Sequence, residues 1–96
     1  MTNVLIISPK DNVGVVIEWI KKGKDLSYTL DKNTTTIKAL DDIRIYHKVC
    51  IKDIKKGENI VKYGEHIGVA NKDIKIGEHV HVHNVDDHRE DLSKAE

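Results

Sequence analysis

The sequence predicts an all-β domain built from short strands, with little helix. Its 96 residues are 39% hydrophobic and contain no Phe, so the core relies on Val, Ile and Leu. Two of these three are β-branched, which favours sheets. Apolar and polar residues alternate with a period of two in several segments, as in half-buried strands. A motif ending in Gly-Glu recurs between such segments and predicts repeated tight turns.

Several segments carry the alternation. The positions predicted to share a strand face are Val13, Val15, Ile17 and Trp19, then Leu26, Tyr28 and Leu30, then Ile67 and Val69, and then Val80 and Val82. A turn at residues 31–33 and a further strand over residues 34–40 are also expected. A helix competes only over residues 11–22, but most residues from 13 to 19 are β-branched or aromatic, which favours strand there.

The repeated motif Lys-Asp-Ile-Lys-x-Gly-Glu occupies residues 52–58 and residues 72–78, and a weaker copy lies at residues 19–24. Its aspartate can accept hydrogen bonds from backbone amides, and its glycine tolerates a positive φ at the end of a turn. Its isoleucine is expected to point inward. The positions in the two clear copies are Asp53 and Asp73, Ile54 and Ile74, and Gly57 and Gly77. Three similar corners are therefore predicted.

Charge and length restrict the classes of partner. Sixteen basic and sixteen acidic residues cancel, so the field that attracts nucleic acid or anionic lipid is missing. The apolar runs are too short to span a bilayer, and no secretory signal is evident. We therefore expect no nucleic acid, no membrane and a cytoplasmic location. The single cysteine, Cys50, lies in an apolar run and is interpreted as a small buried hydrophobic residue rather than a nucleophile.

Residues 78–84 carry the most chemical content, because His79, His81 and His83 alternate with valines. On a strand the three imidazoles would share one face. Neighbouring ones would then stand about 6.5 to 7 Å apart and the outer two about 13 Å apart, so at most two could ligate one ion. Imidazole suits Fe(II), Mn(II) or Zn(II). The alternative is a solvent-facing histidine stripe without a ligand. His47 and His66 are secondary candidates.

Five stretches together resemble a known family. They are residues 9–13 (Pro-Lys-Asp-Asn-Val), 40–43 (Leu-Asp-Asp-Ile), 47–49 (His-Lys-Val), 60–70 (Ile-Val-Lys-Tyr-Gly-Glu-His-Ile-Gly-Val-Ala) and 77–84 (Gly-Glu-His-Val-His-Val-His-Asn). In this order and spacing they are similar to the SAF domain of altronate and galactarate dehydratases and of the small subunit of sulfolactate sulfo-lyase. The similarity covers about residues 4–85.

The resemblance implies a fold and an activity. It implies an all-β clip over residues 1–85, followed by a polar tail at residues 86–96. In this family the clip is fused ahead of a large catalytic region or is a separate small subunit, and we expect the separate form here. The family eliminates water or sulfite from a polyhydroxy or sulfonated acid, usually with a divalent metal. We therefore expect a lyase subunit, inactive alone, that works with a large dehydratase subunit on a sugar acid.

Carried onto this chain, the resemblance implies catalytic roles for His79, His81, His83 and His47. It implies Fe2+ or Mn2+ ligation by His79, His81 and His83, with the metal shared with the large subunit, and substrate binding by Asp11, Asn12 and Asn84. Ser8, Tyr46 and His66 depart from the residues usual in the family. The alternatives are a sulfolactate sulfo-lyase small subunit, a non-catalytic carbohydrate- or metal-binding module, and a homo-oligomerisation module.

Overall fold

The computed structural model describes residues 2–86, and in this part of the chain nine strands form and no helix. The all-β prediction is confirmed, including the choice of strand over helix near residue 13. The strands are β1 (Val4–Leu5), β2 (Val13–Val16), β3 (Asp25–Leu30), β4 (Asn33–Lys38), β5 (Lys48–Cys50), β6 (Asn59–Lys62), β7 (Glu65–Ala70), β8 (His79–Val80) and β9 (Val85–Asp86). The predicted tail was residues 86–96; its first residue, Asp86, belongs to β9, and the rest of the tail lies outside the described residues.

The strands form three small antiparallel sheets. The four-stranded sheet has the order β1-β2-β5-β8, β3 and β4 form a hairpin, and the third sheet has the order β6-β7-β9. The hairpin turns at Asp31 and Lys32, both with positive φ, which confirms the predicted turn and matches the twist of two-residue hairpins. No helix within residues 2–86 is long and apolar enough to span a membrane.

Two hydrophobic cores lie on opposite sides of the four-stranded sheet. Val16 and Val49 belong to the first core, whereas Val13 and Cys50 belong to the second. Because successive side chains of a strand point to opposite faces, β2 and β5 are covered on both sides. The hairpin packs on the first core through Leu26, and the third sheet packs on the second. Because both faces of these strands are covered, β2 and β5 bury apolar residues on either side.

Four corners are present where three were predicted. They form two bridged pairs, Ile20 with Ile43 and Ile54 with Ile74, and both isoleucines of the repeated motif are buried as expected. The corner at residues 42–47 escaped detection because Tyr46 and His47 replace the glycine and glutamate of the motif. Tyr46 nevertheless adopts a φ of 70°, the left-handed conformation that glycine accepts more readily.

The motif aspartates join the two corners of each pair. Asp53 Oδ1 accepts a hydrogen bond from the Ile76 amide at 3.0 Å, and Asp73 Oδ1 accepts one from the Lys56 amide at 2.8 Å. The predicted side-chain to backbone bonds therefore exist, but each aspartate caps the opposite corner. Asp42 does the same for the Lys22 amide at 2.8 Å. These side-chain bonds therefore link the two corners of each pair, twice in the second pair and once in the first.

Two predicted strand faces were wrong beyond their first residues. β2 ends at Val16, and the chain then bends so that Ile20 is buried while Trp19 is 51% exposed. β8 ends at Val80, and Val82 is 79% exposed rather than buried beside it. In both places a corner or turn interrupts the alternation, since period two holds only while the backbone stays extended.

Candidate functional site

Three histidines converge at one edge of the four-stranded sheet. His79 begins the edge strand β8 and pairs with Val49 of β5, and His47 immediately precedes β5. His47 Nδ1 and His79 Nε2 are 3.0 Å apart. One ring nitrogen from each of His47, His79 and His81 lies within 4.8 Å of the other two. The sheet register thus assembles a compact group of three half-buried imidazoles, called the three-nitrogen group below.

A turn after β8 brings His81 into this group. The His81 amide donates to Asn84 Oδ1 at 2.9 Å, and Asn84 Nδ2 donates to the His79 carbonyl at 2.9 Å. Asn84 is 3% exposed, so its hydrogen-bonding groups are used inside the turn. The predicted extended strand through His83 is wrong, because these bonds stabilise a turn over residues 81–84 instead.

The turn also corrects the expected spacing of the outer histidines. The rings of His79 and His83 have centroids 5.3 Å apart, whereas an extended strand would separate the two residues by about 13 Å. The rings of His79 and His81 stack at 5.5 Å, and those of His47 and His81 at 4.5 Å. Four imidazoles therefore cluster. His83 is exposed and lies outside the three-nitrogen group. The predicted metal ligands were His79, His81 and His83, and in the structure His47 stands in place of His83.

Burial keeps His79 uncharged. It lowers the pKa of His79 to about 4, with further lowering by His47, His83 and His81, while the Asp41 carboxylate acts weakly in the opposite direction. Asp41 Oδ2 also accepts a hydrogen bond from the His79 amide at 2.9 Å. Burial, followed by the charge of His81, lowers the pKa of His47 as well. Neutral rings at pH 7 are the form that ligates metals.

The donor set fits a divalent metal. His47 Nδ1 and His79 Nε2 share a hydrogen bond at 3.0 Å, and two imidazole nitrogens about 2.1 Å from one ion and at about 90° to each other would have the same separation. His81 adds a third nitrogen. Imidazole ligands suit Fe(II), Mn(II) and Zn(II) alike. His47, His79 and His81 could therefore hold such an ion and leave its other positions for ligands from elsewhere.

A groove of about 310 Å³ borders the cluster. On one side it is lined by Lys48 of β5 and His81 of the turn after β8, and on the other by Ile67, Val85 and Asp86 of the third sheet. Burial lowers the pKa of the Lys48 ammonium, and the nearby charge of Lys62 lowers it further. The groove thus joins one imidazole of the cluster to a positive and a negative side chain.

Asp11 and Asn12 lie apart from this groove. Asp11 is 1% exposed, and its carboxylate accepts hydrogen bonds from the Ile7, Ser8 and Gly64 amides at 3.0, 3.1 and 2.7 Å. Burial acts to raise the pKa of Asp11, but these backbone hydrogen bonds lower it overall. Asn12 Oδ1 accepts a hydrogen bond from the Val61 amide at 2.8 Å. Both side chains hold loops together, and their substrate-binding roles stay predictions.

Two further residues considered in the sequence, Cys50 and His66, lie outside the histidine group. Cys50 is fully buried, and burial raises the pKa of its thiol to about 12, so it behaves as the hydrophobic residue predicted. His66 lies in β7, outside the three-nitrogen group. His47 is a metal-ligand candidate that the sequence did not reveal, since the family resemblance implies only a catalytic role for it. Its position in the fourth corner, where the clear copies of the motif have Glu58 and Glu78, was the available signal.

Comparison with known proteins agrees with this architecture. Residues 2–88 match the altronate/galactarate dehydratase SAF domain. The altronate dehydratase of Bacillus subtilis is 39% identical over 92 residues, which are 96% of this chain and 18% of that protein. The altronate dehydratase of Escherichia coli is 39% identical over 84 residues, which are 88% of this chain and 16% of that protein. The chain therefore spans less than a fifth of these two relatives.

A shorter relative matches over most of its own length. The (2R)-sulfolactate sulfo-lyase subunit alpha of Chromohalobacter salexigens is 40% identical over 78 residues, which are 78% of this chain and 83% of that subunit. The match to the domain family covers nearly the whole chain, and the nine short strands have the all-β character expected of it. This chain belongs to the altronate/galactarate dehydratase SAF domain family.

Proposed function

We propose that this chain is the small subunit of a dehydratase acting on a sugar acid such as altronate or galactarate. In this proposal a larger catalytic subunit completes the active site. The observation that carries the proposal is the convergence of His47, His79 and His81, whose ring nitrogens lie within 4.8 Å of one another. Two of the three rings, His47 and His79, have lowered pKa values, and clustered imidazoles with such shifts are typical of functional sites.

The need for a partner follows from the size and shape of the site. The cluster lies at a sheet edge beside an open groove, and it offers imidazoles without the many polar groups that a polyhydroxy acid requires. Large hydrophobic side chains are also exposed, including Ile7 at 67% and Tyr46 at 70%. A large subunit that docks on this chain would be expected to cover such side chains. We therefore expect no meaningful lyase activity from this chain alone.

The proposed chemistry is the elimination of water. A base removes the proton next to the carboxylate, a carbon–carbon double bond forms, and the hydroxyl on the adjacent carbon leaves with a proton as water. When bound, Fe2+ or Mn2+ would stabilise negative charge on the substrate oxygens. His47, His79 and His81 would hold that ion, shared with the large subunit. His83 would remain beside His79 as an imidazole able to transfer a proton.

Activity of the assembled complex tests the proposal. Tagged chain is purified from its native cell, the large partner is identified by mass spectrometry, and the complex is reconstituted and assayed for 2-oxo acid formation from altronate and galactarate. His79→Ala and His81→Ala are expected to abolish turnover while the complex still assembles. His66→Ala is the matched control, a histidine outside the three-nitrogen group, and should retain activity.

A different result would assign the clip a different role. If the complex assembles and turns over normally with His79→Ala and His81→Ala, the clip only binds substrate or closes a site whose chemistry lies wholly in the partner. If no large subunit copurifies, the chain is a metal-binding or oligomerisation module instead. The cytoplasmic location is tested in the same cells by fractionation.

A second candidate function is elimination of sulfite from a sulfonated hydroxy acid. It is favoured by the similarity to a (2R)-sulfolactate sulfo-lyase subunit alpha, which is 40% identical over 78 residues. The same reconstituted complex separates the two functions. Release of sulfite from (2R)-sulfolactate without dehydration of altronate or galactarate would select this second function.

A further inference from the structure

Lys48 occupies an unusual position for a lysine. It pairs with Val80 on one side and with Val15 on the other, so the three side chains share one face of the four-stranded sheet. Val80 is fully buried on this face, and Lys48 is itself half-buried. The lysine therefore emerges from the edge of the second core directly into the groove beside His81.

Lys48 is not engaged in an ion pair in the part of the chain that the structure describes. Within residues 2–86, ion pairs join Lys24 to Glu18 and Lys38 to Asp25, and Lys48 takes part in neither. Asp86 lines the same groove, where its Oδ1 accepts a hydrogen bond from Asn71 Nδ2 at 3.1 Å, and no ion pair joins it to Lys48. A partly desolvated ammonium that is not engaged in an ion pair is available to bind an anion, and the resulting charge-assisted hydrogen bonds are strong.

The remaining walls of the groove define what such an anion can carry. Ile67, Val82 and Val85 supply an apolar lining, and the imidazole of His81 and the carboxylate of Asp86 supply polar groups at its rim. The volume of about 310 Å³ lies at the lower end of the range for small-molecule sites. A short hydroxylated carboxylate has partners here for its charged end and for a hydroxyl, and its other hydroxyls would be bound by the large subunit.

We propose that Lys48 binds the carboxylate of a hydroxy-acid substrate in this groove and thereby places the hydroxylated carbons beside His81. The inference rests on the proposed function, since it assigns the substrate's anionic end to a site next to the histidine cluster. It adds a binding residue outside the cluster, on the opposite face of β5 from Val49 and His79. The substrate would then span from Lys48 to the imidazoles.

The test is a binding titration of the full 96-residue chain, labelled with nitrogen-15 and freed of metal on a chelating resin, so that neither a metal nor a soluble polycarboxylate chelator takes part. Galactarate is the anionic probe, and galactitol, which has the same carbon chain without carboxylates, is the neutral control. We expect saturable amide shifts with galactarate for Lys48, Ile67, His81 and Val85, and no saturable shifts with galactitol.

Three variants separate charge from structure. Lys48→Met keeps the length of the side chain and removes the charge, and it should weaken galactarate binding at least tenfold. Lys48→Arg keeps the charge and should retain binding within about threefold. Lys55→Met removes an exposed corner lysine and should leave the affinity unchanged.

Each contrary outcome overturns the inference. Unchanged affinity in Lys48→Met, equal shifts with galactitol, or shifts that map away from the groove would each exclude Lys48 as the carboxylate-binding residue. Absence of saturable shifts in the unsubstituted chain would exclude the groove itself. The proposed function fails separately, when His79→Ala and His81→Ala leave turnover of the assembled complex unchanged.

Discussion

Gly57 and Gly77 occupy equivalent corner positions, with φ values of 92° and 95°, but their surroundings differ. A Cβ at Gly57 would meet nothing within 4 Å, whereas a Cβ at Gly77 would overlap the Lys38 carbonyl oxygen and approach Leu40 Cγ to 3.2 Å. Alanine substitution at the two sites therefore imposes the same backbone strain and a different steric conflict. The pair of variants separates these two contributions to the free energy of unfolding.

The expected magnitudes follow from this difference. Gly57→Ala should cost about 1 to 2 kcal/mol, the strain of an L-residue in a left-handed conformation. Gly77→Ala adds the displacement of the segment around Leu40, whose amide donates a hydrogen bond to the Gly77 carbonyl at 2.8 Å. Losing that bond costs about 1 kcal/mol, and the overpacking costs about 1 to 3 kcal/mol more. Gly77→Ala should therefore be about 2 to 4 kcal/mol worse than Gly57→Ala.

Urea denaturation of the two variants measures the difference, with fluorescence of the single tryptophan, Trp19, as the probe. Gly23→Ala is an independent check, because Gly23 has a φ of 92° and an equally open Cβ position, and it should match Gly57→Ala. Equal losses of stability in Gly57→Ala and Gly77→Ala, within about 0.5 kcal/mol, would refute the steric reasoning and leave backbone strain as the only cause.

The remaining predictions concern the corner and the cluster. Tyr46→Gly should stabilise the chain by about 1 kcal/mol in urea denaturation, since Tyr46 has a φ of 70°; a loss of stability would contradict this. His81→Ala should weaken Mn(II) binding at least tenfold in calorimetric titration, and His83→Ala should weaken it less; equal effects would refute the three-nitrogen group. Asn84→Ala should destabilise the fold by about 2 to 3 kcal/mol and weaken Mn(II) binding, because two turn hydrogen bonds are lost. Stability should fall as pH drops from 6.5 toward about 4, because the unfolded chain binds a proton that folded His79 does not; His79→Asn should flatten this slope in urea denaturation, and an unchanged slope would contradict the assignment.

Local pattern predicted the fold class and the corners for reasons that are themselves local. The alternation of Leu26, Tyr28 and Leu30 became β3, and the turn at Asp31 and Lys32 became the hairpin. These features depend on neighbouring residues, which the sequence contains in full. The fourth corner was missed because the pattern had been defined by glycine, whereas Tyr46 adopts the same positive φ without it.

The sequence named the candidate histidines but not their arrangement. Alternation drew attention to His79, His81 and His83, the family resemblance added a catalytic role for His47, and all of these roles stay predictions. Alternation then placed the first three along an extended strand, which the Asn84 hydrogen bonds prevent. No local pattern shows that the Asn84 side chain will be buried, at 3% exposure, with its amide hydrogen-bonded to two backbone groups.

The sequence by itself determined the all-β class, the corner motif and the membership of the SAF domain family. These properties depend on residue type and short spacing, which act through local backbone preference. Only the tertiary structure decided which histidines meet. His47 and His79 are far apart in the chain and come within 3.0 Å because β5 and β8 pair with Val49 opposite His79, and a pairing register is a contact between distant segments that neither segment encodes alone.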